Sequence, residues 1–363
     1  MSRSGRSFRG AAVAALAVGS VTAPLLTGQA QADQRGVSVE VVASGLQNPR
    51  DVTALGDGTV LVAEAGAGSP TGCEPGRACA GPTGAIYRVR GDQKGRVLEG
   101  LPSVIKLPDS SGGTVEVSGP SQVVPNPAGG YTVLTGFGGT TDQRAQLGPD
   151  AARLGTLYDT RDGKVIADLA DHETRNNPDG GEVFSNPWQF EKTWTGDYLV
   201  TDAGANTVVR GSNSGTSTAF ALPKHTLPSG ESVEAVPSGI ARSVFGTVYV
   251  ADMSGLRTGA SRIWKVVPGQ KPQVLVDGLS NIIDIELDGT GNLYALSHTK
   301  GFVQGPPLPG AIYKINLFTR QTTELATGDQ LQGPTGMDLG PDGAVYVSNK
   351  GAGLGGELLR VTP

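Results

Sequence analysis

Asp342-Gly343-Ala344-Val345-Tyr346-Val347-Ser348-Asn349 is a tight turn running into a short strand. Asp-Gly supplies the positive φ that a hairpin turn demands, and the β-branched and aromatic residues after it suit a pleated ribbon. The unit recurs at Asp57–Glu64, Gly129–Thr135, Gly196–Asp202, Gly246–Asp252 and Gly291–His298. Repetition of this kind marks solenoids, propellers or arrays. Ahead of each copy lies another short strand, opened by Pro49, Pro120, Pro187, Pro237, Ile282 and Pro334 in turn. Pro is tolerated at a strand's first residue, where no ladder donor is needed. A third strand follows each copy, beginning at Ala85, Thr156, Thr207, Arg262, Ala311 and Glu357. A fourth follows five of them, near Val97, Val165, Thr218, Val274 and Thr323.

The sixth unit reaches the end of the sequence at Pro363 without a fourth strand, whereas Val37–Val42 reads as a strand with no unit of its own. The two fit each other if the N-terminal strand completes the last unit. The expected fold is therefore all-β: a six-bladed β-propeller with four-stranded blades, closed by the N-terminal strand. An open solenoid would need atypical capping repeats at its ends, and none is visible. No helical pattern stands out.

Composition agrees. Of 363 residues, 55 are Gly and 24 Pro, without a Gly-X-Y period, as suits a folded chain with many tight turns. Three His and two Cys disfavour a zinc finger, an iron–sulfur protein or a His-rich metal site. Residues 1–32 read as a secretory signal peptide. Arg3, Arg6 and Arg9 are basic, residues 11–26 are small and apolar, and Ala30-Gln31-Ala32 is a cleavage site. That leaves 33–363 as one propeller domain of a secreted, extracellular protein with no membrane span. Without the signal, 26 basic residues face 34 acidic ones, a poor match to nucleic-acid phosphates. A monomer is expected.

Insertions fall on one face of the expected ring. Residues 65–83, 136–154, 253–260 and 299–309 leave second strands, and residues 101–118, 173–186 and 224–236 enter innermost ones. Long loops on a rigid scaffold are where binding concentrates. Cys73 and Cys79 flank a Pro-Gly turn in the first insertion and read as a disulfide in an exported protein.

Two residues after each aligned Pro stand Asp51, Gln122, Gln189, Gly239, Asp284 and Gly336. The next residues, Val52 to Met337, should pack between blades, so the polar set should approach the central channel. Asp51 and Asp284 are candidate ligands for Ca²⁺, with Gln122 and Gln189 as further oxygen donors; a water-filled polar channel is the alternative. Ring adjacency puts Gln122 beside Asp51 and neither glutamine beside Asp284, which leaves the carboxylates uncompensated. His298 is a candidate at the channel mouth, aligned with Glu64 at the end of a second strand. Asp202, Asp252 and Asn349 at that place suggest side chains bonding the turn backbone. Nucleophile and P-loop motifs are absent.

Ser185-Asn186-Pro187-Trp188, followed by Leu199-Val200-Thr201-Asp202-Ala203-Gly204-Ala205-Asn206, resembles the third blade of the ScyD/ScyE family of secreted propellers. Thr135–Gly139 resembles its second blade and Pro334–Asn349 its last. Blade four departs, with Arg242-Ser243-Val244-Phe245 where a Gly-Pro-Asp-Gly-like turn is usual. More distantly the repeats are similar to NHL, gluconolactonase-like and quinone-dependent sugar dehydrogenase propellers. The resemblance implies fold and export and carries no catalytic residue. The expected function is binding of a small molecule, glycan or extracellular protein on the loop-rich face. A Ca²⁺-dependent lactonase-like hydrolase and a quinone-dependent sugar dehydrogenase are the alternatives.

Overall fold

The computed structural model describes residues 31–33, 36–212, 214–302 and 306–363. The signal expected over residues 1–32 lies outside the described residues, apart from its last two positions. Six sheets of antiparallel strands stand in a ring, the fifth extended by Gln31–Asp33, which pairs in parallel with Thr322–Leu325. Their innermost strands are Pro49–Ala54, Pro120–Pro125, Pro187–Lys192, Pro237–Arg242, Ile282–Leu287 and Gly336–Leu339. Second strands run Val60–Glu64, Tyr131–Thr135, Tyr198–Asp202, Val248–Asp252, Asn292–Ser297 and Val345–Asn349. The N-terminal strand Ser38–Leu46 is the outer strand of blade six, paired with Gly356–Thr362 from Ser38↔Thr362 to Leu46↔Gly356. The expected closure is the one observed.

The apolar residues that alternate along each strand meet those of the next blade, so the core is six inter-blade layers rather than one centre. Leu61 and Ile86 of blade one pack with Val123 and Val133 of blade two. Ala43 and Leu46 of the N-terminal strand, with Leu358, pack with Val52 and Val60 across the seam between blades six and one. Val52, Val123, Phe190, Ile240, Ile285 and Met337 are all buried, as alternation requires.

In four blades the residue that ends the second strand ties down the loop entering its own blade. Asp202 accepts from Asn186 N at 2.6 Å, Asp252 from Val236 N at 2.9 Å, and Asn349 from Gln332 N at 2.7 Å. Glu64 joins them, accepting from Gln47 N at 2.7 Å, and its longer side chain also takes a two-pronged ion pair from Arg96. His298 does not share this place. Ile282 pairs with Ser297 as Pro49 pairs with Glu64, so His298 lies one residue beyond the strand.

Helices occur where none was expected. α1 (Thr141–Gln146) has a capping box between Thr140 and Gln143, and α2 (Leu169–Asn176) is capped by Asp168. Both lie outside the repeat, and at six and eight residues neither is long enough to show a clear helical period. In blade one the third and fourth strands run on as Ala78–Arg90 and Gln93–Lys106, making part of the expected loops a projecting ribbon. A Cys73–Cys79 disulfide ties the preceding turn to the start of this ribbon, where Cys79 pairs with Ile105. Among the described residues no helix is long and apolar enough to cross a membrane.

Candidate functional site

In blades one to five the register shifts at the start of the innermost strand, as a β-bulge does. A bulge re-aims the side chains beside it. Here it brings Asp51, Gln189 and Asp284, from blades one, three and five, to one point. Gln189 Nε2 donates to Asp51 Oδ1 at 3.0 Å and to Asp284 Oδ1 at 2.8 Å, and all three side chains are buried. The two carboxylates are thus compensated, contrary to expectation. Ring adjacency misleads because the glutamine reaches across the axis. Room for the meeting comes from blades four and six. A Cβ on Gly239 would lie 2.6 Å from Asp284 Cα, and one on Gly336 2.5 Å from Asp51 Cα.

The remaining acceptors hold the ring together. Gln189 Oε1 accepts from Ile240 N at 3.1 Å, and Asp284 Oδ2 from Met337 N at 2.6 Å. Gln122 stays outside the axial trio; its Oε1 accepts from Phe190 N at 2.6 Å. His298 is also apart, its Nδ1 hydrogen-bonded to Pro334 O at 2.8 Å, and burial lowers its pKa.

Two residues further along the same strands stands a second tier that the sequence reading missed: Glu191, Glu286 and Asp338. The period-2 rule that places Asp51 at the axis also places these. Burial raises the pKa of Glu191 and Asp284 to about 7 and of Asp338 to about 6. Asp51 and Glu286 rise well above the ordinary carboxylate range, first through burial and then through neighbouring carboxylates. The Arg242 guanidinium opposes the shift at Glu191.

This column does not fit a calcium ion. The oxygens of Asp51 and Asp284 that face each other already share the Gln189 amide, and Asp284 is filled further by Ile285 N and Met337 N. The NH₂ group stands where a cation would have to. Among the described residues no group of three or more His, Cys, Asp or Glu is arranged to hold a metal.

The loop-rich face offers a different site. A cleft of about 410 Å³ is walled by the ribbon of blade one and the loops of blades two and three. Phe137, Phe184 and Trp188 supply aromatic surface, Asn186 and Ser118 polar edges, and Lys106 with Glu116 a charged rim. The base is rigid. Arg50 Nη1 and Nη2 donate to the Gly351 and Val117 carbonyls at 2.7 Å each, and Trp188 reaches across to the core shared by blades five and six. Its neighbour in sequence is Gln189, which joins Asp51 to Asp284 at the axis. His298 is not one of the walls.

No protein-family model matches the chain, and no curated protein does. Among solved structures it is similar to virginiamycin B lyase from Staphylococcus aureus, at 13% identity and a TM-score of 0.52, covering 90% of this chain and 100% of that one. A streptogramin B lyase matches at 15% and 0.52, covering 90% and 98%. A glucose dehydrogenase matches at 15% and 0.51, covering 90% and 99%. At such identities the likeness is one of fold, and that fold is the six-bladed β-propeller.

Proposed function

We propose that the protein is a secreted binding propeller, of the kind the ScyD/ScyE resemblance suggests, that takes a small molecule or glycan in the loop-face cleft. One observation carries the reading. Three aromatic side chains and the side chains of Asn186 and Ser118, for which no intramolecular hydrogen bond is found, line a concavity whose floor is locked. Aromatic faces with a few convergent polar groups are the usual chemistry of small-ligand sites. A virginiamycin B lyase variant, catalytically inactive through a histidine-to-alanine change, has been solved with quinupristin. That is a propeller of this fold with a small-molecule ligand.

The alternatives have less support. A lactonase-like mechanism would need the axial cation whose place Gln189 takes. A quinone-dependent dehydrogenase would need histidine and basic groups free around a cofactor, but Arg50 is occupied by backbone carbonyls and His298 by Pro334 O.

Trp188 provides the test. The protein is screened with a panel of glycans and small glycosides by tryptophan fluorescence, at up to millimolar concentration, and each hit is then measured on wild type and variants by calorimetric titration. Trp188→Ala and Asn186→Ala are expected to weaken any hit by about tenfold or more. Trp194→Ala is the control, because that ring lies under Arg242, outside the cleft. Hits that bind Trp188→Ala unchanged, or an absence of hits, would count against the cleft.

A further inference from the structure

The insertion between blades two and three contains a buried carboxylate that nothing bonds. Glu173, on α2, is 1% exposed, and neither of its oxygens has a hydrogen-bond partner. Four residues on stands the C-cap residue Asn177, in the left-handed conformation that ends the helix, and its backbone N–H donates to Glu173 O at 2.9 Å. Its Nδ2 donates to Gly181 O at 3.0 Å, which fixes the amide, and its Oδ1 is likewise buried without a partner.

The charges facing Glu173 are Asp202 and Asp179, both acidic. Each is already supplied with donors. Asp202 takes Ser185 Oγ and Asn186 N at 2.6 Å each, and Asp179 takes Gly181 N at 2.8 Å and Asn206 Nδ2 at 2.7 Å. The backbone N–H of Phe184 favours the ionised form of Glu173 without reaching hydrogen-bond geometry. His172, next on the helix, is engaged by Thr216 and Thr218, and Lys224 by Glu234. Among the described residues, Glu173 and Asn177 therefore present three buried acceptor oxygens with no donor in hydrogen-bond geometry. At the channel axis Gln189 fills that role; here no side chain does.

We propose that Glu173 and Asn177, with the charge of Asp179 beside them, bind a calcium ion that ties α2 to the loop entering blade three. Calcium suits the donor set: carboxylate, amide carbonyl, backbone carbonyls and water at 2.3–2.6 Å, in a flexible shell. Only one free carboxylate contributes, so the remaining ligands are neutral oxygens of the 177–186 segment and solvent. That segment ends at Phe184 and Asn186, walls of the cleft, but the site stands whether or not the cleft binds anything.

The test uses the full secreted protein stripped with EDTA, with calcium chloride as the probe. Calorimetric titration should give one binding event. At a hundredfold excess over the dissociation constant, calcium should raise the melting temperature by about 4 °C. Glu173→Gln keeps the shape and should abolish both signals, whereas Glu286→Gln in the channel should keep both. Absence of heat and melting shift in the wild type would overturn the site, leaving Glu173 as a protonated or water-bonded carboxyl. An undiminished response in Glu173→Gln would overturn it equally. Should that variant fail to fold, wild-type crystals soaked in calcium chloride decide: an ion within 2.6 Å of Glu173 supports the site, and water or nothing there refutes it.

Discussion

Asp284 shows what a single side chain does at the axis. Its two carboxylate oxygens take three N–H donors, from Gln189, Ile285 and Met337. An amide in its place offers one acceptor and turns an NH₂ towards at least one of those donors. Asp284→Asn is therefore expected to cost about 1–3 kcal/mol at neutral pH, the usual penalty for a buried group left without its partner. Denaturant melts of this variant should be the same in calcium and in EDTA. A neutral or stabilising effect would mean that repulsion in the column outweighs the hydrogen bonds; rescue by calcium would restore an axial ion. Alternation along the innermost strand placed Asp51, Gln189 and Asp284 at the channel from sequence alone. Their partnership is hidden in the sequence because blades one, three and five are not adjacent in the ring, while a glutamine is long enough to cross the axis. The clue was present in Gly239 and Gly336, which leave the space.

The innermost strand is the element that gathers the titrating groups. Six strands converge, and the positions two and four residues after the aligned Pro (Ile282 in blade five) put Asp51, Glu191, Asp284, Glu286 and Asp338 in one column, with Arg242 the cation beside Glu191. A carboxyl whose pKa is raised on folding binds more protons folded than unfolded, so stability falls as pH rises between the two values. The window here opens near 4, where these groups titrate unfolded, and runs through about 6 and 7, where Asp338, Glu191 and Asp284 titrate folded. His172, His225 and His298 act in the opposite sense, since burial lowers their pKa values and stability gained from them rises towards pH 6.5. Five carboxylates outnumber three histidines, so the melting temperature is expected to fall from pH 5 to pH 8. Glu286→Gln, which removes one titrating group for which no hydrogen bond is found, should make the fall shallower. A melting temperature that climbs over this range would show the column to be hydrated and ordinary. Strands of this kind were legible in the sequence because they repeat six times. α1 and α2 were not, because each occurs once and spans little more than two turns at most, so the local signals reduce to caps such as Thr140 and Asp168.

At the scale of the whole ring, one seam joins the two ends of the domain. Inside, it is held by side chains: Thr335 Oγ1 donates to Pro49 O at 2.8 Å, and Asp338 Oδ2 accepts from Ala54 N at 2.7 Å. Outside, it is held by the strand Ser38–Leu46, whose ladder spans the full length of Gly356–Thr362. Ala43 and Leu46 carry that strand's apolar share of the seam. Deleting residues 37–43 would leave the inner bonds in place and remove most of the outer ladder, at about 0.5–1.5 kcal/mol for each hydrogen bond lost. It would also bare a flat edge on Gly356–Thr362, a template for pairing with another chain. The truncated protein is expected to melt well below the parent and to form higher oligomers on size exclusion. A synthetic peptide of residues 36–47, added in trans, should restore both properties if the loss is of the strand itself. A truncated chain that stays monomeric and melts with the parent would mean that the inner bonds alone close the ring. In that case the N-terminal strand covers the sixth blade without securing it.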